Sequence, residues 1–296
     1  MASQALDLLR AEAKVRGDQV NILQKVADAG EISHLDVDLA RIELSKTRLA
    51  LSAALGQAAE ARASLAIAIG VPVAALQNAQ FSWPGLDAPP GAASFPPAII
   101  QREAVLNRLD IRSSLAQYAA AEAGLQLEIA KQYPDIDLGP GYAYEERHSY
   151  FTLGFSAVIP LFNRNQGPIA EAEARRQQAA AAFLETQADA IANSERALTV
   201  YIAALEELAE AEHLLSAQQS QRRAVLHSVR IGERDSLDVE DADIQNSVAA
   251  RARLDALTHA QKALGELEDA VQRPLTAGDE FAFDPDAFAL SAPPKQ

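Results

Sequence analysis

Five histidines, His34, His148, His213, His227 and His259, are the first metal ligands to consider in a chain without cysteine, yet no two share the three- or four-residue spacing that sets two imidazoles on one side of a helix. Glu145, Glu146 and His148 bring oxygen and nitrogen donors together, but in a run, Glu145-Glu146-Arg147-His148-Ser149, whose composition is that of a solvated turn. Gly139-Pro140-Gly141 is no phosphate loop, because strand rather than a helix N-terminus follows it. No Ser-His-Asp set or carboxylate pair is placed on a pocket, and the absence of cysteine excludes disulfides, iron–sulfur clusters and thiolate zinc. The expectation is a protein that is not an enzyme, with no cofactor and no resident metal. Asp238 and Asp241, six and nine residues past Gly232, read on type alone as acids that complement the dipole at a helix start.

The chemistry-bearing residues being few, the elements carry the reading. The chain has 296 residues, 49% hydrophobic, enough for one large or two ordinary domains. Acidic residues outnumber basic ones, 41 to 26, for a formal charge of -15, which argues against a nucleic-acid or anionic-surface partner. No stretch approaches the roughly 18 consecutive apolar residues of a spanning helix, and MASQALDLLRAEAKVRGD lacks the basic and apolar segments of a signal peptide.

Ala, Leu, Glu, Gln and Arg at helical spacing predict helices over about 3–29, 33–69, 97–132, 165–230 and 235–271. Leu198, Tyr201, Leu205, Leu208 and Leu215 trace a coiled-coil-like seam on the fourth. That helix, free of Pro and Gly beyond Gly167-Pro168 in its first turn, would run on the order of 100 Å, more than a compact globule requires. Residues 73–97 read as an irregular linker or belt, and 275–296 as an irregular tail.

Residues 134–162 form the one convincing β region. Ile136, Leu138, Pro140, Tyr142 and Tyr144 alternate with Asp135, Asp137, Gly139 and Gly141; after the turn Phe151, Leu153, Phe155, Ile159 and Leu161 alternate with Thr152, Gly154 and Ser156. Two strands of about 11 residues with this alternation fit tilted transmembrane barrel strands, or else a soluble hairpin buried on one face.

A shift of 202 residues lays GEISHLDVDLARIEL (30–44) on GERDSLDVEDADIQN (232–246) and runs without a gap to Pro72 on Pro274, with 16 identities in 43 positions. The chain therefore holds two copies of a helical hairpin. Gly30 and Gly232 close one helix, Ser33 and Asp235 cap the next, and each turn is a tip. The counterpart of 134–162 would precede residue 1, so the expectation is a chain lacking the N-terminal part of a two-repeat protein.

These features together resemble the TolC-like outer-membrane efflux factors: a helix into Tyr133-Pro134, an amphipathic hairpin, VIPLFNRNQGPIAEAEARR (158–176), a very long helix, and paired tips at Gly30 and Gly232. IPLFNRNQG (159–167) is similar to the cobalt-zinc-cadmium branch. The resemblance implies a mainly α fold of long antiparallel hairpins forming an α-barrel segment, with one amphipathic β hairpin of an outer-membrane β-barrel. Its expected segments are 1–72 (first, incomplete hairpin), 73–97 (linker), 98–133 (helix to the barrel), 134–162 (transmembrane hairpin), 163–274 (second hairpin) and 275–296 (tail).

It further implies a homotrimeric passive duct spanning outer membrane and periplasm, for heavy-metal or drug export or type I secretion. Its tips, including Gly30, Glu31, Gly232 and Glu233, would meet a periplasmic adaptor, a membrane fusion protein, and through it an inner-membrane pump. Asp238 and Asp241 would ring the pore entrance; Arg234 would pair with Asp36 of a neighbouring hairpin as a gate; Phe151, Leu153, Phe155, Ile159 and Leu161 would face outer-membrane lipid. With one hairpin instead of two, this chain alone is not expected to close a channel. A periplasmic adaptor or coiled-coil scaffold is the alternative of a different class.

Overall fold

The computed structural model describes residues 1–76, 85–133, 135–157 and 164–275. Six helices and two strands follow in order: α1 (Ala2–Asp28), α2 (His34–Ile69), α3 (Pro97–Asn107), α4 (Leu109–Ala130), β1 (Ile136–Glu145), β2 (His148–Ala157), α5 (Gln166–Arg230) and α6 (Ser236–Val271). Short 3-10 turns occupy Val73–Leu76 and Ala92–Ser94. The chain divides into two compact units, Met1–Pro96 with Ala197–Leu267, and Pro97–Arg196 with Glu268–Gln296.

In the first unit α1 and α2 form one helical hairpin, and the tip-side parts of α5 and α6, joined by the Arg222–Asp243 and Arg253–Glu212 ion pairs, form a second. The core follows the expected seam: Leu198, Tyr201 and Leu208 of α5 are buried, as are Leu254, Leu257, Leu264 and Leu267 of α6. Described parts of the 73–97 segment lie on this core as a belt. Phe95 meets Tyr201 edge-on with ring centroids 5.8 Å apart. The Tyr201 hydroxyl donates to the Pro90 carbonyl, and Gln261 Nε2 donates to the Leu86 carbonyl at 2.7 Å. Burial pushes the Tyr201 hydroxyl up to about 12.

In the second unit the helix expected over 97–132 is two helices. Arg108 between them is extended, φ -63° and ψ 131°. Its guanidinium donates to the Ala270 carbonyl at 3.0 Å and pairs with Asp110 at 2.6 Å, while the Leu109 N–H goes to Gln272 Oε1 at 2.7 Å. Contacts with the end of α6 thus replace continuous helix, which the local sequence does not encode. The Arg108 guanidinium also holds the Asp110 carboxyl below its ordinary range. At the other end of α4, Asn165 takes a left-handed φ of 55° and its amide donates to the Glu128 carbonyl at 2.9 Å and to Glu128 Oε2 at 2.7 Å. The last turn of α4 is thereby joined to the start of α5.

Strands β1 and β2 pair antiparallel, from Glu145 opposite His148 to Ile136 opposite Ala157. Glu146 and Arg147, at φ 49° and 71°, make the two-residue turn with the mirror-image twist that suits a hairpin. Each strand has 10 described residues, against the 11 expected.

Candidate functional site

The two tips are built alike down to individual backbone bonds. After α1, Gly30 at φ 81° donates its N–H to the Ala27 carbonyl at 2.9 Å, and Glu31 N–H reaches the Val26 carbonyl at 3.2 Å. After α5, Gly232 at φ 79° donates to Val229 at 3.1 Å, and Glu233 N–H to Ser228 at 3.0 Å. This double closure satisfies the last helix carbonyls, and its left-handed residue favours glycine. Ser33 Oγ then accepts the Leu35 N–H at 3.1 Å, and Asp235 Oδ1 accepts those of Leu237 at 2.9 Å and Asp238 at 3.1 Å. The 202-residue repeat is therefore a repeat of capping chemistry. Glu31 and Glu233 stand exposed on the two turns.

Asp238 is more closely engaged than a bare helix-start acid. One carboxylate oxygen accepts the Asp235 N–H at 3.3 Å, completing a reciprocal cap, and the other accepts from Arg234 at 3.1 Å. Arg234, expected opposite Asp36, here holds the carboxylate four residues along its own helix start. Asp36 stands in a groove with Arg16, Gln19, Leu39 and Asp241, and Asp241 Oδ1 accepts from Gln19 Nε2 at 2.7 Å. Asp238 and Asp241 are thus one turn apart on α6 but differently partnered, the first within its tip and the second across to α1.

Residue types alone did not reveal Glu12. It is 3% exposed, yet it accepts from Arg16 at 3.0 Å, from Thr47 on α2 at 3.4 Å and from Arg251 on α6 at 3.3 Å. One buried carboxylate therefore ties three helices. The signal was legible as an acid at a seam position, since Leu9, Glu12, Arg16, Gln19 and Leu23 step by alternating threes and fours. On α6, Glu240 is pushed above the usual carboxylate range by burial and by Asp18, Asp243 and Asp241.

In the second unit the register sets the two greasy sides of the strands on one face of the hairpin: Leu138 opposite Phe155, Pro140 opposite Leu153, and Tyr142 opposite Phe151. Among the described residues nothing covers that face; Phe151, Leu153 and Phe155 are 83%, 76% and 78% exposed. Asp137 opposite Ser156, Gly139 opposite Gly154 and Gly141 opposite Thr152 occupy the other face. A Cβ on Gly141 would sit 2.5 Å from Thr152 Oγ1, so the small residue permits this close pairing. Ile159 and Leu161 lie outside the described residues. At the turn His148 Nδ1 is 3.1 Å from the Glu146 carbonyl, and among the described residues no three His, Cys, Asp or Glu side chains are grouped to hold a metal ion. Among them, too, no helix is long and apolar enough to cross a membrane.

Paired helical hairpins with twin tips and a β hairpin bare on its apolar face are the features that the chain presents, and comparison with known proteins gives its family. The family profile described as outer membrane efflux protein matches residues 100–271, and the chain belongs to that family. It is 30% identical over 257 residues to the pyoverdine export outer membrane protein OpmQ of Pseudomonas aeruginosa, covering 80% of this chain and 52% of that protein. It is 27% identical over 169 residues to the cobalt-zinc-cadmium resistance protein CzcC of Cupriavidus metallidurans, covering 56% of this chain and 39% of that one. The chain thus spans about half or less of the length of these relatives. In fold it is similar to the outer membrane protein VceC of Vibrio cholerae, with a TM-score of 0.67 and 18% identity over 93% of this chain and 67% of that one.

Proposed function

We propose that the chain is part of a passive outer-membrane exit duct, a homotrimer serving a tripartite efflux pump or type I secretion system and exporting metal ions or small organic compounds. The observation that carries this reading is the hairpin. A strand pair buried on one face against helices would hide Phe151, Leu153 and Phe155, whereas all three are bare and the opposite face is polar or glycine except at Ala143 and Tyr150. Only a second apolar medium makes such a surface favourable in water, and paired strands of 10 residues are long enough for a tilted crossing of the hydrocarbon layer.

Helical hairpins ending in matched tips suit a periplasmic tunnel whose tips meet an adaptor protein and, through it, an inner-membrane pump. Carboxylates at Asp238, half-buried, and Asp241, exposed, repeated about a threefold axis, would give the entrance a negative potential that favours cations. Exchange of the Arg234 contact from Asp238 to Asp36 of a neighbouring hairpin would make a latch of weak, exposed links. Relatives named for pyoverdine export and for cobalt-zinc-cadmium resistance support an export role.

The test is the medium that the hairpin requires. The chain should need detergent to stay in solution, and replacement of residues 136–157 by a short turn should remove that need. Equal solubility of both without detergent would transfer the protein to the adaptor or scaffold class.

A further inference from the structure

Gly139-Pro140-Gly141 stands in the middle of β1, where a proline has consequences for pairing. Among the described residues the sheet has two strands, so each strand keeps one free edge. The turn decides which backbone groups lie on it. A two-residue turn makes Glu145 and His148, which flank it, a hydrogen-bonded pair, and bonded and non-bonded pairs then alternate along the antiparallel ladder. Pro140 opposite Leu153 is five steps further on and is a non-bonded pair. The main-chain groups of every even-numbered residue from Ile136 to Tyr144 therefore point to the free edge of β1, and those of every odd-numbered residue from Ser149 to Ala157 to that of β2. The edge of β2 offers an N–H at each of its positions. The edge of β1 lacks the middle one, because proline carries none.

The flanking glycines bear on the same point. Gly141 is explained within the hairpin, since Thr152 Oγ1 fills the place that a Cβ would take. Gly139 is not: a Cβ there would meet nothing within 4 Å, its φ is not left-handed, and Gly154 opposite it also lacks a side chain. On the face away from Phe151, Leu153 and Phe155, the backbone beside Pro140 is thus uncovered.

We propose that the free edge of β1 is the seam of the barrel wall: a strand of the neighbouring hairpin pairs with it on either side of Pro140, and the carbonyl that Pro140 leaves without a donor is hydrated from the lumen through the gap at Gly139, while the free edge of β2 pairs without interruption. Hydrocarbon cannot satisfy an unpaired carbonyl, so a donor must reach it. The ring of Pro140 lies on the apolar face with Leu138 and Tyr142, which closes the lipid side and leaves the glycine side as the route for water. The same ring holds the strands apart where an N–H would draw them together. The wall is therefore weakest at mid-strand along this edge, and strain would open it there first.

This inference rests on the reading of the hairpin as membrane-spanning. The assembled duct, extracted in mild detergent, is timed as it dissociates in heated dodecyl sulfate. Pro140→Ala, which supplies the N–H, should lengthen its lifetime at least about tenfold. Leu153→Pro, which sets the same defect in the free edge of β2, should shorten it at least as much. Gly139→Val should shorten it about tenfold in the natural sequence but less than about twofold beside Pro140→Ala, because the carbonyl then has a donor and needs no water. An unchanged lifetime in Pro140→Ala, or tolerance of Leu153→Pro, overturns the seam; an equal loss from Gly139→Val in both backgrounds overturns its hydration. The need for detergent is read first, on the unaltered protein. Solubility without it would sink the duct and the seam together, while a detergent-dependent oligomer whose lifetime ignores Pro140→Ala would sink the seam alone.

Discussion

Gln272 accepts the Leu109 N–H on its side-chain oxygen at 2.7 Å while its own backbone is held at a left-handed φ of 52°. The position corresponds through the repeat to Gly70, at φ 77°, where no side chain is present. Both close a helix in the same way: Gly70 N–H reaches the Ile67 carbonyl and Val71 N–H that of Ala66, and Gln272 N–H reaches Asp269 and Arg273 N–H Glu268. The second repeat therefore keeps the strained backbone and uses the side chain to cap α4. Gln272→Ala, which keeps the strain and loses the cap, should cost about 1–2 kcal/mol, and Gln272→Gly, which loses the cap but relieves the strain, clearly less. Urea unfolding of the three proteins checks this, and equal loss in both variants would remove the capping role.

Glu12 should matter most among the polar residues of the first unit. Glu12→Ala leaves Arg16, Thr47 and Arg251 without their common acceptor. The expected loss is about 2 kcal/mol, below that of a fully buried pair because Arg251 is 34% exposed. Glu12→Gln, which still accepts hydrogen bonds, should lose roughly half as much. Denaturation midpoints with unchanged slopes would measure both.

The raised Glu240 carboxyl predicts a pH dependence of definite sign. Its folded value lies above the ordinary 4.5, so the folded state holds its proton more tightly than the unfolded state does. Stability from this group is present below about pH 4.5 and is lost as pH rises through the folded value. Glu240→Gln should therefore raise the thermal midpoint at pH 7 and change it little near pH 4. Asp255, raised by burial and only partly offset by Arg251, keeps the same trend in the variant at smaller amplitude. A gain in the variant that is the same at both pH values would assign the effect to packing.

Asp238 and Asp241 can be neutralised without the same structural cost, because their partners differ. Asp241→Asn keeps an acceptor for Gln19, so loss of cation selectivity in single-channel recordings of the assembled duct would report the field alone. Asp238→Asn also weakens the Arg234 contact, and Arg234→Ala removes it. Raised resting conductance in Arg234→Ala at unchanged selectivity is the outcome expected of a latch. Unchanged selectivity in Asp238→Asn would return Asp238 to its capping role.

On the hairpin, Phe155→Arg should cost about 2–4 kcal/mol in a membrane-inserted barrel if the site lies near the midplane, whereas Ser156→Arg on the opposite face should cost far less. Spin labels at 153 and 155 should report lipid, and those at 152 and 154 water. The opposite pattern would reverse the facing of the sheet.

The sequence by itself determined the elements and the repeat. Alternation of apolar and small polar residues over 136–157 specified both the hairpin and its register, because a slip by one residue would send Phe151, Leu153 and Phe155 to the wrong face. Gly30, Ser33, Gly232 and Asp235 specified the tips, because left-handed closures and helix caps are local chemistry carried by single residue types. Tertiary structure alone decided what depends on residues far apart in the chain. The break at Arg108 answers to Ala270 and Gln272; Glu12 is buried only because Thr47 and Arg251 arrive from other helices; and Asp241 binds Gln19, more than 200 residues before it. Periodicity marks the face of a helix that is covered, but not which helix covers it. For that reason the repeat looked symmetric in sequence, and only its packing shows one hairpin face joined by ions and its counterpart left bare.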